Sequence, residues 1–279
     1  MDSGFRRNDG RPATTRAVRA CRYTLPVPPI SAVLIALEEE RHLAAALDSV
    51  RFCDERLVVD AGSKDRTREI AEAAGARVLV NAPWPGFVAQ KRLATEAARH
   101  DWVLSLDADE RVSAPLAEEI GALAGRGFDR GGYRIPRVAF YLGRWIRRTD
   151  WYPDPQLRLF DRRLGRWEGG LVHESFRIDG PVGRLRGEIE HFPYHDLSEH
   201  LRTIDRYTTL WARQAHEAGR TTGVAEAVAA STLVFLRNYL LRGGLLLGRV
   251  GLTVSALNAG YAFIKLTKLL ELQRQARSR

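Results

Sequence analysis

Two cysteines in 279 residues, Cys21 and Cys53, leave no spacing that suits a disulfide framework or a metal site. The simplest reading is a chain kept in a reducing compartment. Lysine is scarce, at four residues, and no zinc-finger or RNP pattern occurs, which weakens a nucleic-acid reading despite the basic charge. The opening residues lack the continuous apolar core of a signal peptide, so secretion is not indicated. Residues 1–29 show neither helical nor strand periodicity and are expected to form a disordered basic extension, with an arginine-rich targeting peptide as the alternative.

Core-forming material is ample, with 45% hydrophobic and 28% charged residues. Length allows one large domain with an appendage, or two small domains. The net charge of +9 is unevenly placed. Residues 130–166 hold ten Arg against Asp150, Asp154 and Asp161, and residues 237–279 hold eight Arg or Lys against Glu271 alone. Each segment carries +7, so the remainder is acidic on balance. Such asymmetry points to an anionic partner: nucleic acid, a phospholipid surface or a phosphorylated substrate.

From Ile30 onward, apolar runs and helical stripes alternate. Ser31–Ala36, Arg56–Asp60, Arg77–Val80 and Trp102–Leu106 read as buried strands. Residues 39–50, Asp65–Ala74 and Val88–Ala98 read as helices, the first with a stripe at Leu43, Ala46, Leu47 and Val50. This alternation predicts a doubly wound α/β domain with ligands beyond the carboxyl ends of the strands. After Gly125 come short strand-like pieces at Gly132–Val138 and Gln156–Phe160, and helical periodicity returns near Ser198. Gly243–Ile264 has Arg249 as its only charge and is long enough to suggest a span. Five glycines, Asn258 and the central Arg argue instead for interfacial docking, or for a buried helical hairpin.

Two motifs carry chemistry. Trp102–Leu106 delivers Asp107 and Asp109 into the following loop, and i, i+2 spacing in extended backbone puts both carboxylates on one side. Such a hard, oxygen-rich site suits Mg²⁺ or Mn²⁺; a solvated capping turn is the bland alternative. Upstream, Asp60 ends a strand, Gly62 permits a tight turn, and Ser63 or Asp65 can cap the next helix. Polar side chains there could read a base or ribose by hydrogen bonding. The aromatic group Tyr141, Trp145, Trp151 and Tyr152 suits sugar stacking and core filling equally. His191 and His195 with Glu190 and Asp196 match no zinc spacing and read as a hydrogen-bonded loop.

Together the motifs resemble family 2 glycosyltransferases, whose pattern is strand, Asp-x-Gly-Ser-x-Asp-x-Thr, then strand and Asp-x-Asp. Asp60, Gly62, Ser63, Asp65 and Thr67 fill the first motif, Asp107 and Asp109 the second, and Glu39 and Glu40 follow the opening strand. Glu38 stands where Asn is usual. A narrower resemblance, carried by Gln90-Lys91, residues 106–110, 156–160 and 172–174, and Arg237–Gly244, is to the bacterial lipopolysaccharide-core β-1,4-glucosyltransferase group.

The resemblance implies a GT-A type α/β domain over 30–197, a mostly parallel mixed sheet with helices on both faces, then a helical, basic, membrane-associating region over 198–279. It implies a UDP-sugar donor near Glu39, Asp60, Lys91 and Asp107, and a Mg²⁺ or Mn²⁺ ion on Asp109 helped by Asp107. Glu174 is the first candidate for the base that deprotonates the acceptor hydroxyl, Asp154 the second. A surface salt bridge is the plain alternative for Glu174. The expected reaction is inverting transfer of a hexose, from UDP-glucose, onto a lipid-linked anionic glycan such as lipopolysaccharide inner core. The ten-Arg segment would meet acceptor phosphates. The expected place is cytoplasmic, peripheral on the anionic inner face of the cytoplasmic membrane, without nucleic acid. The rivals are transfer to a polyprenyl phosphate or another envelope glycan, and a catalytically silent membrane scaffold.

Overall fold

The structure, a computed structural model, describes residues 27–169 and 174–277. The expected basic extension therefore lies outside the described residues except for its last three, as do Cys21, Gly170, Val172 and His173.

The first half alternates strand and helix: β1 (Ile30–Ala36), α1 (Leu43–Ser49), β2 (Glu55–Asp60), α2 (Thr67–Ala73), β3 (Arg77–Val80), α3 (Phe87–Ala97) and β4 (Trp102–Asp107). There follow β5 (Glu110–Val112), α4 (Ala114–Arg126), β6 (Gly132–Tyr141), β7 (Arg144–Ile146), β8 (Asp154–Asp161), β9 (Gly165–Gly169), β10 (Glu174–Ile178), β11 (Val182–Arg184) and β12 (Ile189–His191). Three helices close the chain: α5 (Leu197–Glu217), α6 (Val224–Leu236) and α7 (Gly248–Arg277).

The main sheet runs β3-β2-β1-β4-β8-β6-β12-β5, with β7 and β11 on β6. β1 to β4 pair in parallel, whereas β8 joins β4 and β6 antiparallel. β1, β2 and β4 are buried on both faces, which is why they read as apolar runs. Ala32, Leu34, Val58 and Leu104 pack toward one core with residues of α1, α2 and α4. The alternate residues Val33, Leu57, Val59 and Val103 pack toward a second core with α3 and the β9–β10 hairpin. Chain order reverses between β1, which leads to β2 and β3 on one side, and β4 on the other. That switch point leaves a crevice at the carboxyl ends of β1 and β4.

A third core joins the helices to the sheet through Tyr141, Ile146, Leu247 and Val254, with Trp151 and Tyr194 against it. Tyr141 is therefore core, 2% exposed, and not a sugar platform. His200 of α5 stacks on Tyr194 and bonds the Tyr141 hydroxyl at 2.9 Å. Burial pushes its pKa down to about 4, so the folded protein holds it neutral where an unfolded chain protonates it. Stability is then expected to fall as pH drops from about 6.5 toward 4, because only the unfolded state gains the proton. Urea unfolding at pH 7 and pH 5 should show this loss in the wild type and less of it in His200→Gln. Equal losses would place the sensitivity elsewhere.

The helical region begins where periodicity indicated, but Gly243–Ile264 is not one segment. Gly243 has φ of 70° and Gly248 of 60°, and a 3-10 turn over Gly244–Leu247 separates α6 from α7. On α7, Val254, Ala259, Ala262, Leu266 and Leu269 are buried. Residues 248–264 are part of the single helix α7, whose buried face packs against α5 and α6, so this stretch by itself is not a hairpin. The long apolar window lies earlier, at Val224–Leu241.

The ten-Arg segment also differs from expectation. Arg130, Arg137, Arg147, Arg158, Arg162, Arg163 and Arg166 are all in ion pairs with carboxylates of this chain. Most of its charge is thus spent internally.

Candidate active site

The Asp60–Thr67 turn is built by its own polar side chains. Gly62 takes φ of 94°, and a Cβ there would meet the Ala82 Cβ at 3.0 Å, which explains the glycine. Asp60 is fully buried and accepts from the Gly62 N–H at 3.0 Å, the Ser63 N–H and the Ser63 hydroxyl. Expected to face a nucleoside, Asp60 offers no exposed atom; its oxygens organise the turn instead. Asp65 accepts from the Thr67 N–H at 3.0 Å, at the start of α2.

That turn is stitched to the β1–α1 loop. The Glu38 N–H donates to Ser63 Oγ at 2.9 Å, Glu39 N–H to Thr67 Oγ1 at 2.8 Å, and Glu40 N–H to Asp65 Oδ2 at 3.1 Å. Glu38 adopts φ of 59°, the left-handed region that Asn tolerates better than Glu, a physical reason for Asn at this place in the pattern. Here the Lys64 N–H holds Glu38 Oε1 at 2.9 Å.

At the end of β4 the expected pair of carboxylates separates. The strand stops at Asp107 and a turn over Ala108-Asp109 precedes β5, so the two side chains do not share one face of extended backbone. Asp107 Oδ2 meets Arg158 Nη2 at 2.6 Å, and its Oδ1 lies 2.9 Å from Lys91 Nζ. Lys91 Nζ also reaches Glu174 Oε1 at 2.8 Å. On the other side, Arg158 Nη2 reaches Glu110 Oε1 at 2.7 Å, Arg137 Nη1 the same oxygen at 2.9 Å, and Arg137 Nη2 reaches Asp154 Oδ2 at 2.6 Å.

The result is an alternating chain of charge, Glu174–Lys91–Asp107–Arg158–Glu110–Arg137–Asp154, with the two candidate bases at its ends. Lys91, Glu110 and Arg158 are buried, a placement tolerable only because each has partners of opposite sign. Burial would raise the Asp107 pKa, but Arg158 and Lys91 together hold it well below the usual carboxylate range. Sequence reading gave Arg137, Arg158 and Glu110 no role. Glu110 and Arg158 lay inside quoted motifs, while Arg137 was one arginine among ten.

The ends of this chain are not equivalent. Asp154 accepts from Arg137 on Oδ2 and from Gln156 Nε2 on Oδ1 at 2.6 Å. Glu174 has one oxygen on Lys91, and no hydrogen bond to the other occurs among the described residues. Its place is set by the β9–β10 hairpin, where Phe176 stacks on Phe160 at 3.7 Å and Trp167 Nε1 bonds Thr95 Oγ1 at 2.8 Å. Glu174 opens β10 rather than sitting in a loop. A cavity of about 290 Å³ holds Lys91, Asp107, Trp167 and Glu174 in its wall. A neighbouring one of similar size shares Arg137 with it and adds Asp150, Trp151, Asp154 and His191.

Asp109 faces a third cavity of about 300 Å³, with Glu38, Glu39, Asp65, Tyr194 and Glu199. His191 Nε2 is 3.2 Å from Asp109 Oδ2, so the His191 reading as a hydrogen-bonded residue agrees with the geometry. Burial first, then repulsion from Asp109 and Asp107, pushes the Glu39 pKa up to about 8. This crowding of half-buried carboxylates fits a divalent cation. Among the described residues no three His, Cys, Asp or Glu side chains form a closed metal site. A hard cation here would complete its shell from water and phosphate, as Mg²⁺ does.

Comparison with known proteins gives the family. The profile of "Glycosyl transferase family 2" matches residues 31–174. The chain is 30% identical to the lipopolysaccharide core biosynthesis glycosyltransferase LpsC of Rhizobium meliloti (strain 1021), over 88% of this chain and 94% of that protein. It is likewise 30% identical to the uncharacterized glycosyltransferase RT0209 of Rickettsia typhi, over 89% of both. Among solved structures, glucosyl-3-phosphoglycerate synthase from Mycobacterium tuberculosis, in complex with Mn²⁺, UDP and glucosyl-3-phosphoglycerate, aligns at 30% identity with a TM-score of 0.32. That alignment spans 42% of this chain and 45% of the synthase.

Proposed function

The chain belongs to glycosyl transferase family 2, and from that premise we propose that it is an inverting hexosyltransferase using UDP-glucose and a lipid-linked anionic glycan such as lipopolysaccharide inner core. The enzyme is a homologue of a lipopolysaccharide-core glycosyltransferase. The observation that carries the reading is the meeting of Glu174, Lys91 and Asp107, far apart in sequence, at the β4 end of the switch-point crevice.

In this reading the donor lies across the carboxyl ends of β1 and β4, between the Glu39 loop and Lys91. Asp60 supports that surface from beneath by holding the turn. Asp109, with Asp107, would bind Mg²⁺ or Mn²⁺, which neutralises the diphosphate and the charge that grows on the leaving nucleotide. Glu174 accepts the acceptor hydroxyl proton through its open oxygen, and Lys91 fixes the carboxylate in place. Arg137 and Arg158 keep Asp107 and Asp154 oriented. The acceptor enters along the Trp151–Asp154 side, and the helical region holds the enzyme at the inner face of the cytoplasmic membrane.

The direct test is incorporation of radiolabelled glucose from UDP-glucose into lipid-linked glycan extracted from a strain deleted for this protein. Transfer is expected there and not into glycan from the parent, whose acceptor position is already filled. Release of free glucose alone, with no acceptor labelled, would exclude this acceptor class. No turnover of any nucleotide sugar would favour the silent scaffold.

A further inference from the structure

The apolar window Val224–Leu241 is only 11% buried, although it lies in a region otherwise packed as a helical layer. Its exposed side chains continue past the helix end into the turn toward α7. Leu240, Leu241, Leu245 and Leu246 all face solvent, Leu241 at 83% and Leu246 at 68% exposure. Arg237, Arg242 and Arg249 flank them in sequence, and no Asp or Glu occurs from residue 227 to 270. A protruding leucine tip ringed by cations suits an anionic bilayer, with side chains entering the acyl region and guanidinium groups at the phosphates. A second copy of the chain is a poorer occupant, since it would bring the same arginines together while Asp150, the acid beside them, is already paired with Arg237 and Arg242.

Crossing the bilayer is also a poor fit. α6 is tied along its length to α7, with Ala227 buried and Ser231 Oγ donating to the Ala259 carbonyl at 3.0 Å. A span would have to carry α7 too, whose Lys268 is bound to Asp205 and Thr208 of α5. Shallow insertion of the turn needs no such disruption.

The same turn is stapled to the cleft. Asn238 Oδ1 accepts from the Asp150 N–H at 2.8 Å, and its Nδ2 donates to Asp150 Oδ2 at 2.8 Å. The Thr149 N–H donates to the Arg242 carbonyl at 3.1 Å, and Trp151 Nε1 to Asn258 Oδ1 at 3.0 Å. Arg237 and Arg242 both lie against Asp150, yet each remains half exposed, leaving surplus positive charge at the tip. Asp150 and Trp151 in turn line the cavity that holds Asp154.

We propose that residues 240–246 form a membrane-inserting tip for anionic phospholipid, rigidly coupled through Asn238 and Asp150 to the Trp151 side of the cleft, so that docking sets that side at the lipid surface. The proposal rests on the glycosyltransferase reading only for what enters the cleft; vesicle binding tests the tip separately.

The full-length protein should sediment with vesicles of phosphatidylglycerol and phosphatidylethanolamine (3:7), less with pure phosphatidylcholine, and less as salt rises. Leu241→Asp combined with Leu246→Asp should lower partitioning at least about tenfold, because charged groups are costly in the acyl region. Leu164→Asp, at an exposed leucine far in sequence from the tip, should leave it unchanged. Leu241→Ser alone serves if the double variant fails to fold, as judged by circular dichroism. Transfer to a deacylated, water-soluble acceptor should survive the double change while transfer to the lipid-linked acceptor falls. Undiminished vesicle binding by the variants overturns the proposal, as does a wild type that ignores anionic vesicles. A wild-type dimer that the same substitutions dissociate, with no vesicle binding, would assign the face to a second copy. Absence of transfer to either acceptor beside intact, tip-dependent binding would sink the functional reading and leave the tip standing.

Discussion

Asp109→Ala is expected to lower transfer by on the order of 10²–10³-fold, the scale on which loss of one preorganised charge stabiliser is felt. Excess chelator should abolish wild-type activity, and Mg²⁺ or Mn²⁺ should restore it. The reason lies in the electrostatics of the crevice. Burial first, then repulsion from Asp109 and Asp107, raises Glu39 to about 8, and among the described residues Asp107 is the one of the three that pairs with Lys or Arg. A second readout separates this role from a structural one. Since Asp109 is the largest electrostatic contributor to the Glu39 shift after burial, Asp109→Ala should bring the Glu39 pKa down, visible by carboxyl NMR. UDP-glucose affinity should weaken along with turnover, because donor and transition state both carry the diphosphate. Full transfer in excess chelator would remove the metal from the reaction.

Glu174→Gln should cost transfer about 10²-fold or more, the usual contribution of a general base, with little change in UDP-glucose affinity. Gln keeps the size of the side chain and loses its basicity. Lys91 remains compensated in this variant, because Asp107 stays 2.9 Å away. Asp154→Asn should cost less, since both Asp154 oxygens are already held by Arg137 and Gln156. Calorimetry of donor binding beside a transfer assay measures the two halves. Near-normal transfer by Glu174→Gln with a dead Asp154→Asn would reverse the assignment. If both variants stay active, Asp150 and Glu168 become the candidates to test.

Much of this site was legible before any coordinates. Strands buried on both faces must be apolar throughout, so β1, β2 and β4 announced themselves, and their carboxyl ends located the crevice. Gly62 and the polar residues around it marked a turn because few other residue types build one. Other features left no trace in the pattern. A short run such as Asp107-Ala-Asp109 reads equally as extended backbone or as a turn, and pairing of β5 with β12 decides for the turn. The role of Asp60 changed for a similar reason: its distance from solvent depends on the layer packed over β2, not on its neighbours in the chain.

What the sequence by itself determined is the family, the α/β order and the identity of most acidic residues in the cleft, because these follow from local periodicity and short motifs. Only the tertiary structure decided which charges neutralise each other. The chain from Glu174 to Asp154 joins residues from α3, β4, β5, β6, β8 and β10, and ion pairing between them is a property of sheet register. That register paired most of a basic segment with the chain's own carboxylates and left the exposed cations of the α6–α7 turn beside bare leucines. The hydropathies of α6 and α7 do not distinguish a helix that finds a partner from one that does not. Packing against α5 and α6 buries one face of α7, and among the described residues nothing covers the tip of α6.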